Sequence, residues 1–181
     1  MVTDAPLSAL ITGGTKGVGR AIALRLARPG AQLFLNYRGD DAAAEATAAE
    51  ATQRGAEVHT IRRNLADAPG AQSAVEAVAA RTDRLDALVH SAAIPHPGYL
   101  MTQDLAEVHE AIEVGGLALL YLVRASAQLL GQGSSVLFLS GRAVETVLPA
   151  HGALAAAKAL GECMVRYLAI ECAGQGISVT P

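Results

Sequence analysis

The sequence predicts a doubly wound α/β fold, a parallel sheet with helices on both faces. Three observations carry that prediction. Short apolar, β-rich runs alternate with helical patterns along the whole of the 181 residues. The runs show little in-and-out alternation, as strands buried on both faces must. The first run leads through a glycine-rich turn into a helix of period 3.6, which is how a βαβ unit opens. Right-handed crossovers then place helices on either side of the sheet.

In chain order the strand-like runs are "LSALIT" (7–12), "QLFLNY" (32–37), "EVHTIR" (57–62), "LDALVH" (85–90), "SVLFLS" (135–140) and "ISVT" (177–180). Helical stretches at 17–28, 41–54, 70–82, 103–131 and 151–174 separate them. The second, within "DDAAAEATAAEA" (40–51), carries acidic residues near its start, where they complement the helix dipole. "IPHPGY" (94–99), with two prolines and a glycine, reads as a loop after the fourth strand. There is no internal repeat, charge block or linker, so residues 1–181 are expected to form a single domain.

Composition excludes several classes. The chain is 51% hydrophobic but only 3% aromatic, so alanine, leucine and valine must fill the core. A net charge of −3 offers no basic stripe for nucleic acid, and no polybasic face for a membrane surface. "GGLALLYLV" is the longest apolar run and is too short to span a bilayer. The N-terminus lacks the positive region of a signal peptide, which points to a cytoplasmic protein. Cys163 and Cys172 lie nine apart in one helix, a spacing that suits neither a disulfide nor a metal site. They are expected to be small buried hydrophobes.

"LITGGTKGVGRAIALRLA" contains Gly13, Gly17 and Gly19 between a strand and a helix. That context makes a phosphate-binding turn far more specific than three glycines alone. Glycine admits the tight turn and lets a pyrophosphate approach, while the helix aims free N–H groups at the anion. Thr15, Lys16 and Val18 share the turn. A nucleoside-triphosphate loop fits badly, because Lys16 precedes glycine rather than serine or threonine.

About twenty residues later, at the end of the second strand, a carboxylate would mark NAD(H) by accepting from the ribose. Here "NYRGD" supplies Asn36, Tyr37 and Arg38. With Lys16, Arg38 offers two cations suited to a 2′-phosphate, so the expected cofactor is NADP(H). Asp40 is the contrary feature, since it could reach the ribose.

These residues resemble the short-chain dehydrogenase/reductase family. "TGGTKGVG" (12–19) meets its Thr-Gly-x-x-x-Gly-x-Gly loop, Asn64 and Leu65 match the pair flanking the adenine, and "HSAA" (90–93) stands where the family has Asn-Asn-Ala-Gly. The resemblance runs from the first strand to the sixth and is closest to bacterial 3-oxoacyl- and enoyl-acyl-carrier-protein reductases. It implies a Rossmann sheet of order 3-2-1-4-5-6, with Ser91 and Ala92 on the cofactor. It also implies a homo-oligomer packed through helices 103–131 and 151–174.

The family's catalytic set is Asn, Ser, Tyr and Lys. Lys158 is in place, and the resemblance gives it the nicotinamide ribose. The other positions depart: Leu154 stands for the tyrosine, Gly141 for the serine with Ser140 one residue away, and Gly115 for the asparagine. The enoyl reductase branch, however, spaces its tyrosine seven residues before the lysine. On that register His151 takes its place, in "HGALAAAK" (151–158). Seven helical residues turn by about 700°, so both side chains would point the same way, about 10.5 Å apart along the axis. Histidine donates protons near neutral pH, which makes His151 either the proton donor or a polar residue of the first turn. His96 and Tyr99, after the fourth strand, are weaker donor candidates on the substrate side. Arg142 could bind a substrate oxyanion or lie in solvent.

The chain stops at "GISVTP", whereas the family continues with helices that close over the substrate and a seventh strand. Three readings follow. One is an NADPH-dependent reductase of a carbonyl or enoyl, on an acyl-thioester or polyketide-like substrate, with no metal. The others are a redox-silent NADP-binding subunit and a non-redox cyclase or lyase with His151 as base.

Overall fold

The computed structural model describes residues 6–181; residues 1–5, and with them the start of the N-terminal stretch read as leaderless, lie outside the described residues. Strands β1 (Leu7–Thr12), β2 (Ala31–Tyr37), β3 (Glu57–Arg62), β4 (Ala87–His90), β5 (Ser135–Phe138) and β6 (Ser178–Thr180) form one sheet. Its order is β3-β2-β1-β4-β5-β6, and every pairing is parallel. The strand order reverses beside β1, between β2 and β4. In such sheets a crevice opens there, beyond the carboxyl ends of the strands. Register brings Thr12 level with Asn36 on one side and His90 on the other.

Two unequal cores hold the layers together. On one face α3 (Ala68–Ala79), α5 (Ala118–Ala125) and α6 (Gly152–Ala173) pack over Leu10, Phe34, Leu88, Val136 and Phe138. On the other, α1 (Gly17–Leu26) and α2 (Asp41–Gln53) cover Ala9, Ile11, Leu33 and Leu35. Phe34 and Phe138 are both fully buried, worth about 2–3 kcal/mol each in area removed from water. Helix α2 buries only Ala44, Thr47 and Ala51, one narrow stripe of small residues, and Asp40 caps it by accepting from the Ala43 amide at 2.9 Å.

The helix expected over 103–131 is interrupted. Helix α4 (Leu105–Ile112) passes into a π-helix (Glu113–Leu117), then α5, and turns replace the last residues. Packing explains the break. A Cβ at Gly116 would lie 2.7 Å from the Ala157 carbonyl oxygen of α6, and one at Gly115 3.2 Å from the Ala157 Cβ. The π-turn inserts the extra residue that lets two glycines face that helix. β4 begins two residues later than expected, because Asp86 accepts the Ser8 amide with its side chain at 2.9 Å. Cys163 and Cys172 are unbridged on α6 and only partly buried. No helix among the described residues is long and apolar enough to cross a membrane.

Candidate active site

The crevice at the strand-order reversal is built from the glycine turn upward. Gly13 adopts φ +60°, and a Cβ there would press on the backbone of Ala92 at 3.0 Å. Gly19 sits beneath it, where a Cβ would be 2.3 Å from the Gly13 oxygen. The helix start therefore nests directly on the turn. No side chain caps α1 and no acidic residue occupies its first turn, so its amides and dipole are available to an anion. The turn is pinned from α2, where the Thr47 hydroxyl donates to the Thr15 carbonyl at 3.0 Å.

A cleft of about 780 Å³ lies over the turn. Gly13, Thr15, Lys16, Gly17, Val18, Tyr37, Arg38, Asn64, Leu65, Ser91 and Ala92 all line it, which gathers nearly every cofactor residue expected from sequence. Gly19 and Lys158 are not on its wall. Asn36 also lines the cleft, but its amide donates to the Ile61 and Arg63 carbonyls at 3.2 and 3.1 Å, tying β2 to β3. Tyr37 donates to Asp41 at 2.8 Å, and that bond pushes its phenol above the ordinary range. Lys16 pairs with Asp40, whose carboxyl it holds below its usual range. Arg38 pairs with Glu110 on α4 at 2.6 Å. These carboxylate partners of the two cations are what local patterning could not supply.

Behind the turn, Thr12 and His90 form a buried joint. Thr12 Oγ1 accepts from the Ser91 and Ala92 amides, both at 3.1 Å, so its proton goes to His90 Nδ1 at 2.9 Å. His90 is thereby the Nε2–H tautomer. Among the described residues its Nε2 has no hydrogen-bond partner, and the backbone of Val114 on the π-helix is the one influence that favours its protonated form. Burial, with the Lys158 ammonium adding to it, drops the imidazole pKa to about 3, so it stays neutral. In the sequence, position 90 belongs to "HSAA", and its one local signal is a histidine closing an apolar strand.

The catalytic candidates lie on the β5 and α6 side. Lys158 is 6% exposed, its ammonium 4.7 Å from the centre of the Phe138 ring, and burial pushes it down to about 8. Phe138 stacks on His90 with ring centres 5.7 Å apart, and a Cβ at Gly161 would overlap its far edge. His151 is the residue before α6, not a member of it, and donates Nδ1–H to the Pro149 carbonyl at 2.8 Å. It is partly exposed, and its strand-like bridge to Gly98 ties this turn to the loop after β4. Ser140 donates to Glu162, another residue sequence reasoning missed. His96 bonds Glu110 at 2.6 Å, whereas Tyr99 and Arg142 are exposed. A Cβ at Gly141 meets nothing within 4 Å, so its lack of a hydroxyl is not imposed by packing, unlike the crowding at Gly115.

Comparison with known proteins agrees with this geometry. The family profile described as enoyl-(acyl-carrier-protein) reductase matches residues 13–180. A 3-oxoacyl-[acyl-carrier-protein] reductase of Staphylococcus aureus is 32% identical over 174 residues, covering 95% of this chain and 71% of that protein. The 1-cyclohexenylcarbonyl-CoA reductase of Streptomyces collinus is 30% identical over 172 residues, covering 94% and 61%. Among solved structures, a short chain dehydrogenase from Burkholderia cenocepacia in complex with NADP superposes with a TM-score of 0.89 at 32% identity, covering 96% of this chain and 71% of that one. The chain belongs to the short-chain dehydrogenase/reductase family and is similar to its 3-oxoacyl- and enoyl-acyl-carrier-protein reductases.

Proposed function

We propose that this chain is an NADP(H)-dependent reductase of a carbonyl or enoyl group, on an acyl-thioester or polyketide-like substrate. The observation that carries the cofactor assignment is the placement of Lys16 and Arg38 on the lip of a cleft floored by uncapped helix amides. The relatives named as acyl-carrier-protein and CoA reductases support the substrate class. A cytoplasmic location belongs to the same reading, since the two thiols are unbridged.

NADPH, when bound, supplies the hydride. The first-turn amides of α1 would hold its pyrophosphate, Lys16 and Arg38 its 2′-phosphate, and Asn64 and Leu65 its adenine. Ser91 and Ala92 form the facing wall, and Lys158, buried off that wall, would serve the nicotinamide ribose as the family resemblance implies. His151 moves the proton. Its Nδ1–H is spent on the Pro149 carbonyl, so the proton for the substrate would leave Nε2 of the doubly protonated ring, returning it to the neutral Nδ1–H tautomer. Ser140 is committed to Glu162 and steadies the β5–α6 turn.

A second reading, a redox-silent NADP-binding subunit, is favoured by one observation: Ser140 is turned to a carboxylate, while Leu154 and Gly141 carry no proton donor. Fluorescence titration of NADPH and NADH, followed by NADPH oxidation with a panel of acyl thioesters and quinones, separates the readings. NADPH is expected to bind more tightly, and Arg38→Ala to weaken it about ten-fold, as befits a charge-assisted contact. NADH binding more tightly would overturn the cofactor assignment. Binding without oxidation supports the silent subunit, and turnover without nucleotide supports a cyclase or lyase. Undiminished oxidation in His151→Ala removes that residue from the mechanism.

A further inference from the structure

Arg38 does not wait open for a phosphate. Its Nη1 donates to Glu110 Oε1 at 2.6 Å, although 72 residues separate the two. Arg38 follows β2 on one wall of the cleft. Glu110 sits on α4, beyond the Ser91–Pro95 segment that forms the opposite wall. The ion pair therefore ties a cleft-lining cation to a carboxylate on a helix that is not itself part of the cleft wall. The Glu110 carboxylate is itself fixed: its other oxygen takes the His96 ring at 2.6 Å. Gln103 donates to the His96 carbonyl at 2.7 Å, and His96 holds φ +30°, a conformation that a non-glycine residue keeps only when its surroundings impose it. His96 and then Arg38 hold the Glu110 carboxyl below its usual range, so it is ionised at neutral pH.

The geometry points to Glu110 as a selectivity residue: anchored by His96, it competes with a 2′-phosphate for the Arg38 guanidinium and so restrains NADP(H) but not NAD(H). This rests on the reading that the cleft takes NADP(H). A guanidinium whose Nη1 donates to one carboxylate oxygen must turn from it to present its fork to a phosphate, and the carboxylate, still held by His96, then faces a second negative group. A dinucleotide without the 2′-phosphate needs no such exchange. The pair is open to solvent, Arg38 being 58% exposed, so the effect is modest and screened by salt.

The test is the affinity of the full chain for NADPH and for NADH, by fluorescence, in wild type and Glu110→Gln. Glutamine keeps an acceptor for His96 and removes the charge. NADPH is expected to bind about two- to five-fold more tightly, the range typical of exposed ion pairs. NADH affinity should be unchanged, and the gain should shrink at high salt. In an Arg38→Ala background the gain from the same substitution should be smaller, because only the repulsion between carboxylate and phosphate is then left to remove and not the competition for the guanidinium. Equal gains for both dinucleotides would mean that the pair merely bars the mouth; no gain, or weaker NADPH binding, would mean that Glu110 orients Arg38 instead. Each of these overturns the inference. Wild-type protein that prefers NADH, or binds neither dinucleotide, overturns the cofactor reading itself, and the inference falls with it.

Discussion

Lys158 shows what a single residue costs the fold. Its ammonium is 6% exposed and faces the Phe138 ring, a contact worth about 2 kcal/mol at best. Burying an ion costs several kcal/mol, and the pKa of about 8 records the deficit. Against the ordinary value of 10.5, this is on the order of 3 kcal/mol. The sign follows from linkage. Between pH 8 and 10.5 the unfolded chain binds more protons at this site than the folded one, so stability rises with pH across that window. Below it the full penalty applies. Lys158→Met should therefore raise the Tm at pH 7 by a few degrees, flatten the alkaline slope, and abolish NADPH oxidation. A lower Tm at pH 7 in calorimetry would show that the ammonium is paired and would sink the argument.

At the scale of elements, the site depends on how closely α6 approaches its neighbours. Gly161 leaves room for Phe138, and Gly115 and Gly116 leave room for Ala157. A Cβ at position 161 would stand 2.1 Å from the ring, which would have to move. Gly161→Ala is expected to cost about 1–3 kcal/mol despite alanine's better helix propensity. Because Phe138 carries Lys158 and stacks on His90, NADPH binding should weaken with it. Gly141→Ser, which meets open space, should stay within about 0.5 kcal/mol of wild type. Urea unfolding of the two variants decides; equal stabilities would refute the packing account. The 3.6 period announced helices over 103–131 but not the π-turn, because periodicity reports which side of a helix is apolar and not how near its partner lies.

For the whole molecule, the exposed apolar side chains of α4 and α6 mark the surfaces a second copy would cover. Leu105 on α4 and Tyr167 and Ile170 on α6 are at least 66% exposed. Isolated exposed hydrophobics are ordinary, but these fall on the helices through which we propose self-association. Sedimentation should find a homo-oligomer, and Tyr167→Glu with Ile170→Glu should shift it toward monomer without loss of helicity. A wild-type chain that remains monomeric at 0.1 mM, on the order of a high protein concentration for weak dimers, would refute the proposal.

A family resemblance pointed to Asn64, Leu65, Ser91 and Ala92 at the cleft, while the sequence read alone determined the order of strands and helices and the glycine turn that opens the first helix. Each of these is written in neighbours within a few positions, through period, turn chemistry and glycine placement. Tertiary structure alone decided that Arg38 meets Glu110, that Thr12 meets His90 and that Ser140 meets Glu162. Those partners are 72, 78 and 22 residues apart. Sheet register and helix packing, which local patterning does not encode, bring them within a hydrogen bond of one another.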